Sequence, residues 1–176
     1  MDSVLLLKVE QTIARRTSRM PVYDQPSQKV DPQIARLIEQ RMVHGQKEAT
    51  VYEKVLEYIK RMNNPAFFRK NGEIKESSFY KYAYIDKSTW SELRWNLVVP
   101  KKKTLLKLVI ALRLNEEEAV DLMQRGSNSF NPKDLRDQII LALIDIQCYN
   151  PYEVYEVLEE YRLHGSQKFE NIYDSK

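Results

Sequence analysis

Tyr80 to Asn115 reads YKYAYIDKSTWSELRWNLVVPKKKTLLKLVIALRLN, and this stretch decides the fold. Its apolar residues fall at helical spacing in three short runs. The pattern predicts a helix over Glu76–Tyr82, a tight turn, and a second helix over Lys87–Arg94. Pro100 and Lys101–Lys103 then form a basic loop. Leu105, Leu106, Leu108, Val109, Leu112 and Leu114 give the next helix, Thr104–Leu114, a wide apolar face.

Helical periodicity continues on both sides. Val4–Arg16 predicts a helix with Val4, Leu5, Val9 and Ile13 on one face. RRTSRMPVYDQPSQKVDP, with three prolines and few aliphatics, reads as a linker or extended arm. Asp31-Pro32 reads as a cap with Pro at the first helical position, opening a helix to about Val43. Thr50–Met62 predicts an amphipathic helix, and the loop after it carries Phe67 and Phe68 inward. Asn115-Glu-Glu-Glu118 has capping-box spacing and opens a helix ending near Gly126. Asn131-Pro132 and Asn150-Pro151 open two more, and the polar residues after Gly165 are expected to fray. The chain reads as all-α.

Composition narrows the classes. With 43% hydrophobic residues, 4 Gly and 7 Pro in 176 residues, the chain can build a core and is not loop-dominated. A single cysteine, Cys148, forms no intrachain disulfide or Cys-based metal site. The apolar run in MDSVLLLKVE is too short for a signal peptide, and no run approaches the ~18–20 residues that span a bilayer. A cytoplasmic protein with no membrane partner is expected. Charge is uneven: residues 51–113 carry 14 basic and 6 acidic side chains, and residues 114–176 carry 6 basic and 13 acidic. The positive field therefore falls on the deciding stretch, either as an attraction for phosphate or as an ordinary solvated surface.

With Phe79 and Ala83 in the first helix, Ile85 after the turn, Trp90 and Leu93 in the second, Pro100 in the loop and Leu105–Leu112 behind them, Thr50–Met123 resembles the five-helix Cro/repressor-type (XRE) helix-turn-helix domain. Tyr80–Arg94 with PKKKTLLKLVIALRLNEEEAVDLMQRG resembles a bacterial subgroup of these domains that carries a two-helix C-terminal extension, matched here by Asp137–Leu163. The resemblance covers about two-thirds of the chain. It implies the helix-turn-helix domain over 50–126 and a C-terminal helical pair over 127–165 packed on it; the residue pattern outside it adds an N-terminal helical arm and linker over 1–49 and a frayed tail over 166–176. Two positions depart from the family pattern. Tyr84 stands where the turn usually has Gly, and Tyr80 where the first helix usually has a small Ala. A positive φ at Tyr84 would cost stability.

The resemblance implies that the second motif helix meets double-stranded DNA. With Trp90 and Leu93 inside, Asp86, Lys87, Ser88, Ser91, Glu92 and Trp95 face outward. Lys87 and Ser88 sit at a helix start that favours phosphate, Ser91 is placed to reach a base edge, and Arg94 is placed to flank the backbone. Lys101, Lys102 and Lys103 form a candidate phosphate clamp. Asp86 and Glu92 oppose a polyanion, although Asp86 also suits an N-cap. Arg15, Arg16 and Arg19 form a second basic cluster, a minor-groove arm or a solvated linker.

Catalytic signatures are missing: there is no Gly-rich phosphate loop, no His-Glu-x-x-His and no nucleophile elbow. His44 and His164 read as helix-end cations, and Cys148 as a buried apolar side chain. Tyr149, Tyr152, Tyr155 and Tyr161 fall in the final segment, and Tyr152 and Tyr155, with Tyr161 extending the same side, give the acidic last helix an aromatic side that packs on the domain or on a second copy. Two functions remain. The first is a bacterial or phage DNA-binding regulator, non-catalytic, without cofactor or metal, acting as a homodimer. The second is an adaptor for a protein partner that keeps the fold without reading DNA, in a mobile-element or phage-defence setting.

Overall fold

The structure is a computed structural model that describes residues 3–18, 49–165 and 168–174. The helix expected near Asp31–Val43, most of the linker, Arg19 and His44 lie outside them. The described residues fold into α1 (Ser3–Ser18), α2 (Val51–Met62), a 3-10 turn (Pro65–Phe67), α3 (Glu76–Tyr82), α4 (Lys87–Trp95), α5 (Lys102–Ala111), α6 (Glu116–Arg125), α7 (Leu135–Asp145) and α8 (Pro151–His164). They contain no named strand; Phe68 and Ile74 form one isolated antiparallel bridge. None of these helices is long and apolar enough to cross a membrane.

Side-chain caps set most helix starts. Thr50 and Glu53 close a capping box on α2, and Asn115 and Glu118 close one on α6. Asp134 caps α7 through Arg136 N–H, and Asn150 caps α8 through Tyr152 N–H. Each cap satisfies N–H groups that the helix itself leaves unbonded. Helix α7 thus begins at Leu135, and Asn131-Pro132 forms a turn ahead of it. Helix α5 begins at Lys102 and stops at Ala111, although Leu112 and Leu114 stay buried.

Five helix ends share one unusual solution. After α3 the N–H of Ile85 donates to Tyr80 O (2.8 Å) and that of Tyr84 to Lys81 O (3.1 Å). The same paired bonds recur around Asn96, Arg113, Ser127 and Gln147. This is the Schellman arrangement, whose left-handed residue is usually Gly. Here φ is 54° at Tyr84, 48° at Asn96, 53° at Arg113, 52° at Ser127 and 56° at Gln147. The strain expected at Tyr84 is present, and it is one case of a general habit. Left-handed backbone costs an L-residue about 1–2 kcal/mol, partly offset by the extra unfolded-state freedom of Gly. Ser127→Gly and Gln147→Gly, both at exposed positions, are therefore expected to stabilise the protein by about 0.5–1 kcal/mol each, read as a higher urea midpoint.

Phe79, Ala83, Ile85, Trp90 and Leu93 are buried, with Val51, Val55, Tyr58 and Ile59 of α2 and the apolar residues of α5. Phe67 meets Phe79 edge-on at 5.4 Å. Phe68 is only partly buried. Gly126 lets α6 end close to α5, because a Cβ there would sit 2.5 Å from Leu105 Cδ1. Helix α1 lies along α7, burying Val9 and Thr12, whereas Val4 is exposed. The Thr12 hydroxyl is satisfied by Lys8 O at 2.8 Å.

The fraying expected after Gly165 does not describe Lys168–Asp174. Asn171 and Ile172 are fully buried. Asn171 Nδ2 donates to Tyr155 O and to Glu159 Oε1, each at 3.1 Å, and Tyr173 packs edge-on against Tyr84 at 5.3 Å. Ile172, the Phe169 and Tyr173 rings and the satisfied Asn171 amide hold this segment, a signal too short for periodicity to show.

Candidate nucleic-acid interface

Helix α4 is held from one side. Trp90 reaches Tyr52 of α2 at 5.6 Å and Phe79 and Tyr80 of α3 at 5.7 and 6.1 Å between ring centroids. Its indole N–H donates to Glu76 Oε2 at 2.7 Å. Leu93 is buried one turn on. Lys87, Ser88, Ser91, Glu92 and Trp95 are therefore exposed, as the spacing predicts, and Arg94, whose direction the spacing leaves open, is exposed with them.

The structure divides the predicted site residues. Lys87, Ser91 and Arg94 line one groove between α3 and α4, together with Arg69, Ser77, Glu76 and Trp95. Its volume is about 290 Å³. Glu76 is occupied there by the Trp90 N–H and by Arg94 at 3.6 Å. Arg94 also lies 5.7 Å from the Trp95 ring centroid. Arg69 pairs only loosely, at 3.5 Å, with the exposed Glu73. Lys87 has no ion-pair partner among the described residues. Arg69 carries no periodic or motif signal, so sequence reading does not find it.

Ser88 is not a free donor. Its hydroxyl donates to Asp86 Oδ1 at 2.5 Å, and the same carboxylate accepts Thr89 N–H at 2.8 Å and Thr89 Oγ1–H at 2.7 Å. Asp86 already occupies the positive end of α4, where a phosphate was expected. The Ser88 hydroxyl, the Thr89 N–H and the Thr89 hydroxyl hold its carboxyl well below the usual carboxylate range. A depressed folded-state pKa contributes stability that is present above the unfolded value of about 3.9 and is lost as pH falls through the folded value. Asp86→Ala is expected to cost about 1–2 kcal/mol at neutral pH. Asp86→Asn should keep most of the cap and remove its acid-dependent part, so the urea midpoints of the wild type and Asp86→Asn should begin to approach each other as pH falls below about 4 and meet only once Asp86 of the folded protein is itself protonated.

The lysine run is also divided. Lys101 is exposed and lines a second groove, between α4 and α5, with Glu92, Val98 and Val99. Lys102 donates to the fully buried Asp137 of α7. Lys103 donates to Glu170 Oε1 (2.7 Å) and Asp174 O (2.9 Å). Lys102 and Lys103 thus join the acidic C-terminal residues to the basic segment, and the three-lysine clamp does not form. Lys107 donates to Tyr84 O (2.7 Å) and sits over the Tyr173 ring. Burial, then nearby Lys103, lowers its pKa.

The basic arm is partly structural as well. Arg16 donates to Glu116 (2.9 and 2.5 Å) and to Asp145 (2.7 Å), clasping α1 to α6 and α7. His164 lies in the last turn of α8, 3.7 Å from Glu160. Cys148 is buried and donates to Glu153 Oε2 at 3.2 Å; burial, then Glu153, pushes its thiol up to about 12. Such a thiol is not a nucleophile at neutral pH. Among the described residues no three His, Cys, Asp or Glu side chains are grouped to hold a metal ion. Tyr152 and Tyr155 are exposed on α8, whereas Tyr149 and Tyr161 pack against the core.

Comparison with protein-family models, curated proteins and solved structures gives no match.

Proposed function

We propose that this chain is a non-catalytic, regulatory DNA-binding protein of the helix-turn-helix class, with a repressor-like arrangement of α2–α6. Helix α4 is the element offered to double-stranded DNA. The observation that carries the reading is the α3–α4 groove, where Lys87, Ser91, Arg94 and Arg69 stand exposed on a helix anchored by Trp90 and Leu93. Three cations around one occupied carboxylate suit phosphate oxygens, and Arg supplies a planar two-pronged donor for them. Base-edge contact falls to Ser91 alone. The reading therefore implies affinity dominated by phosphate and weak sequence preference.

Titration of a labelled duplex at low salt tests it. Saturable binding that weakens steeply with salt is expected; no binding at low ionic strength would remove the reading. The adaptor reading has one observation of its own. Trp95, Leu97, Val98 and Val99 are 66%, 67%, 52% and 65% exposed. A consecutive apolar surface of this kind marks a contact with another protein.

A further inference from the structure

A cavity of about 760 Å³ opens between α1, the end of α3, the α5–α6 turn and the α7–α8 turn. That volume suits a small organic molecule. Lys8 and Arg113 bring two exposed cations to its lining. Neither has an ion-pair partner among the described residues. Glu153 is the one carboxylate of the lining, and it already accepts from the Cys148 thiol at 3.2 Å. The half-buried Tyr82 and Tyr149 form part of the wall. Gln147 lines it too, and its side-chain amide makes no hydrogen bond among the described residues.

The backbone presents two of these groups under strain. Arg113 and Gln147 stand at left-handed helix ends, with φ of 53° and 56°, where Gly is the less strained residue. The Tyr149 hydroxyl donates to Leu114 O at 2.7 Å and so ties one turn to the other. A guanidinium and an amide are thus held on two joined turns, at positions that stability alone would give to Gly. Strain that persists in this way points to a use for the side chain.

The lining sorts by chemistry. Two cations, one of them a planar fork, suit the oxygens of a phosphate group. Aromatic walls suit a planar base, and a free amide suits the donor and acceptor edge of one. We infer that this cavity binds a nucleoside monophosphate, with the phosphate on Lys8 and Arg113, the base against Tyr82 and Tyr149, and its edge on Gln147. None of the lining residues belongs to the α3–α4 groove, so the inference stands whether or not the chain binds DNA.

Calorimetric titration of the full chain with AMP, GMP, CMP and UMP tests it. At least one should bind saturably, about tenfold or more tighter than its nucleoside or inorganic phosphate, because each of those supplies only part of the contacts. Arg113→Gly should weaken that nucleotide by about tenfold or more. Its urea midpoint should stay level or rise, since the left-handed turn is relieved. Lys8→Ala, at an exposed position, should weaken binding similarly, whereas Lys87→Ala in the α3–α4 groove should not. Absence of saturable binding by all of these nucleotides at millimolar concentration would overturn the inference. So would inorganic phosphate binding as tightly as the nucleotide, or affinity lost in Lys87→Ala and kept in Arg113→Gly.

Discussion

Asp137→Ala is expected to destabilise the protein by about 3–5 kcal/mol. Asp137 has no exposed surface, yet it accepts from Lys102 Nζ, accepts Asn131 N–H at 2.7 Å, and lies 3.8 Å from Arg136 Nε. Removing the carboxylate leaves a largely covered ammonium without its counter-charge. Asp137 Oδ1 and Arg136 Nε have no hydrogen bond of their own, so the cluster is not an ideal network and its net contribution is smaller than the cost of breaking it. Replacing both partners, Lys102→Met with Asp137→Leu, is therefore expected to recover most of the loss, to within about 1–2 kcal/mol of the wild type. Urea unfolding of the single and double variants measures this directly. A single variant as stable as the wild type would mean that Lys102 is held by something other than Asp137.

Trp90→Ala is expected to cost a comparable amount, about 3–5 kcal/mol. The ring is 4% exposed and touches α2 and α3 together. Its edge and tilted contacts with Tyr52, Phe79 and Tyr80 contribute beyond buried area. Trp90→Phe keeps most of the ring packing and loses only the bond to Glu76 (2.7 Å), so its cost should be nearer 1–2 kcal/mol. Chemical denaturation of the two variants distinguishes a packing role from a polar one. Since total stability of a domain is about 5–15 kcal/mol, either alanine variant removes a large share of it.

The helices were legible because their signals are local. Apolar spacing placed α2, α3 and α4, and capping residues such as Asn115 and Asn150 fixed starts to within a residue. The end of α5 was harder, since the apolar run carries on to Leu114 whereas the helix stops at Ala111 and turns at Arg113, where no Gly marks the stop. The candidate site was legible only in part. Helical period shows which residues of α4 face out, and Lys87, Ser91 and Arg94 do so. Period says nothing of what lies opposite a lysine. The partners of Lys102 and Lys103 are 35 and 67 residues away along the chain, and a uniform KKK run gives no hint that its members have three different environments. The uneven charge of the two halves had a second meaning for the same reason: Arg61–Glu118, Lys102–Asp137 and Lys103–Glu170 pair them within one molecule. Glu170 and Asp174 belong to a segment whose polarity reads as disorder, whereas Ile172 and Asn171 anchor it.

The most direct test of the account is the salt dependence of duplex affinity. Each lost phosphate contact should reduce the slope of log K against log salt by about 1. The variant Arg69→Ala/Lys87→Ala/Arg94→Ala is expected to reduce it by about 3, whereas Lys103→Ala, whose ammonium is already held by Glu170, should leave it unchanged. The reverse pattern, an unchanged slope in the triple variant and a reduced one in Lys103→Ala, would contradict the assignment of phosphate contact to the α3–α4 groove.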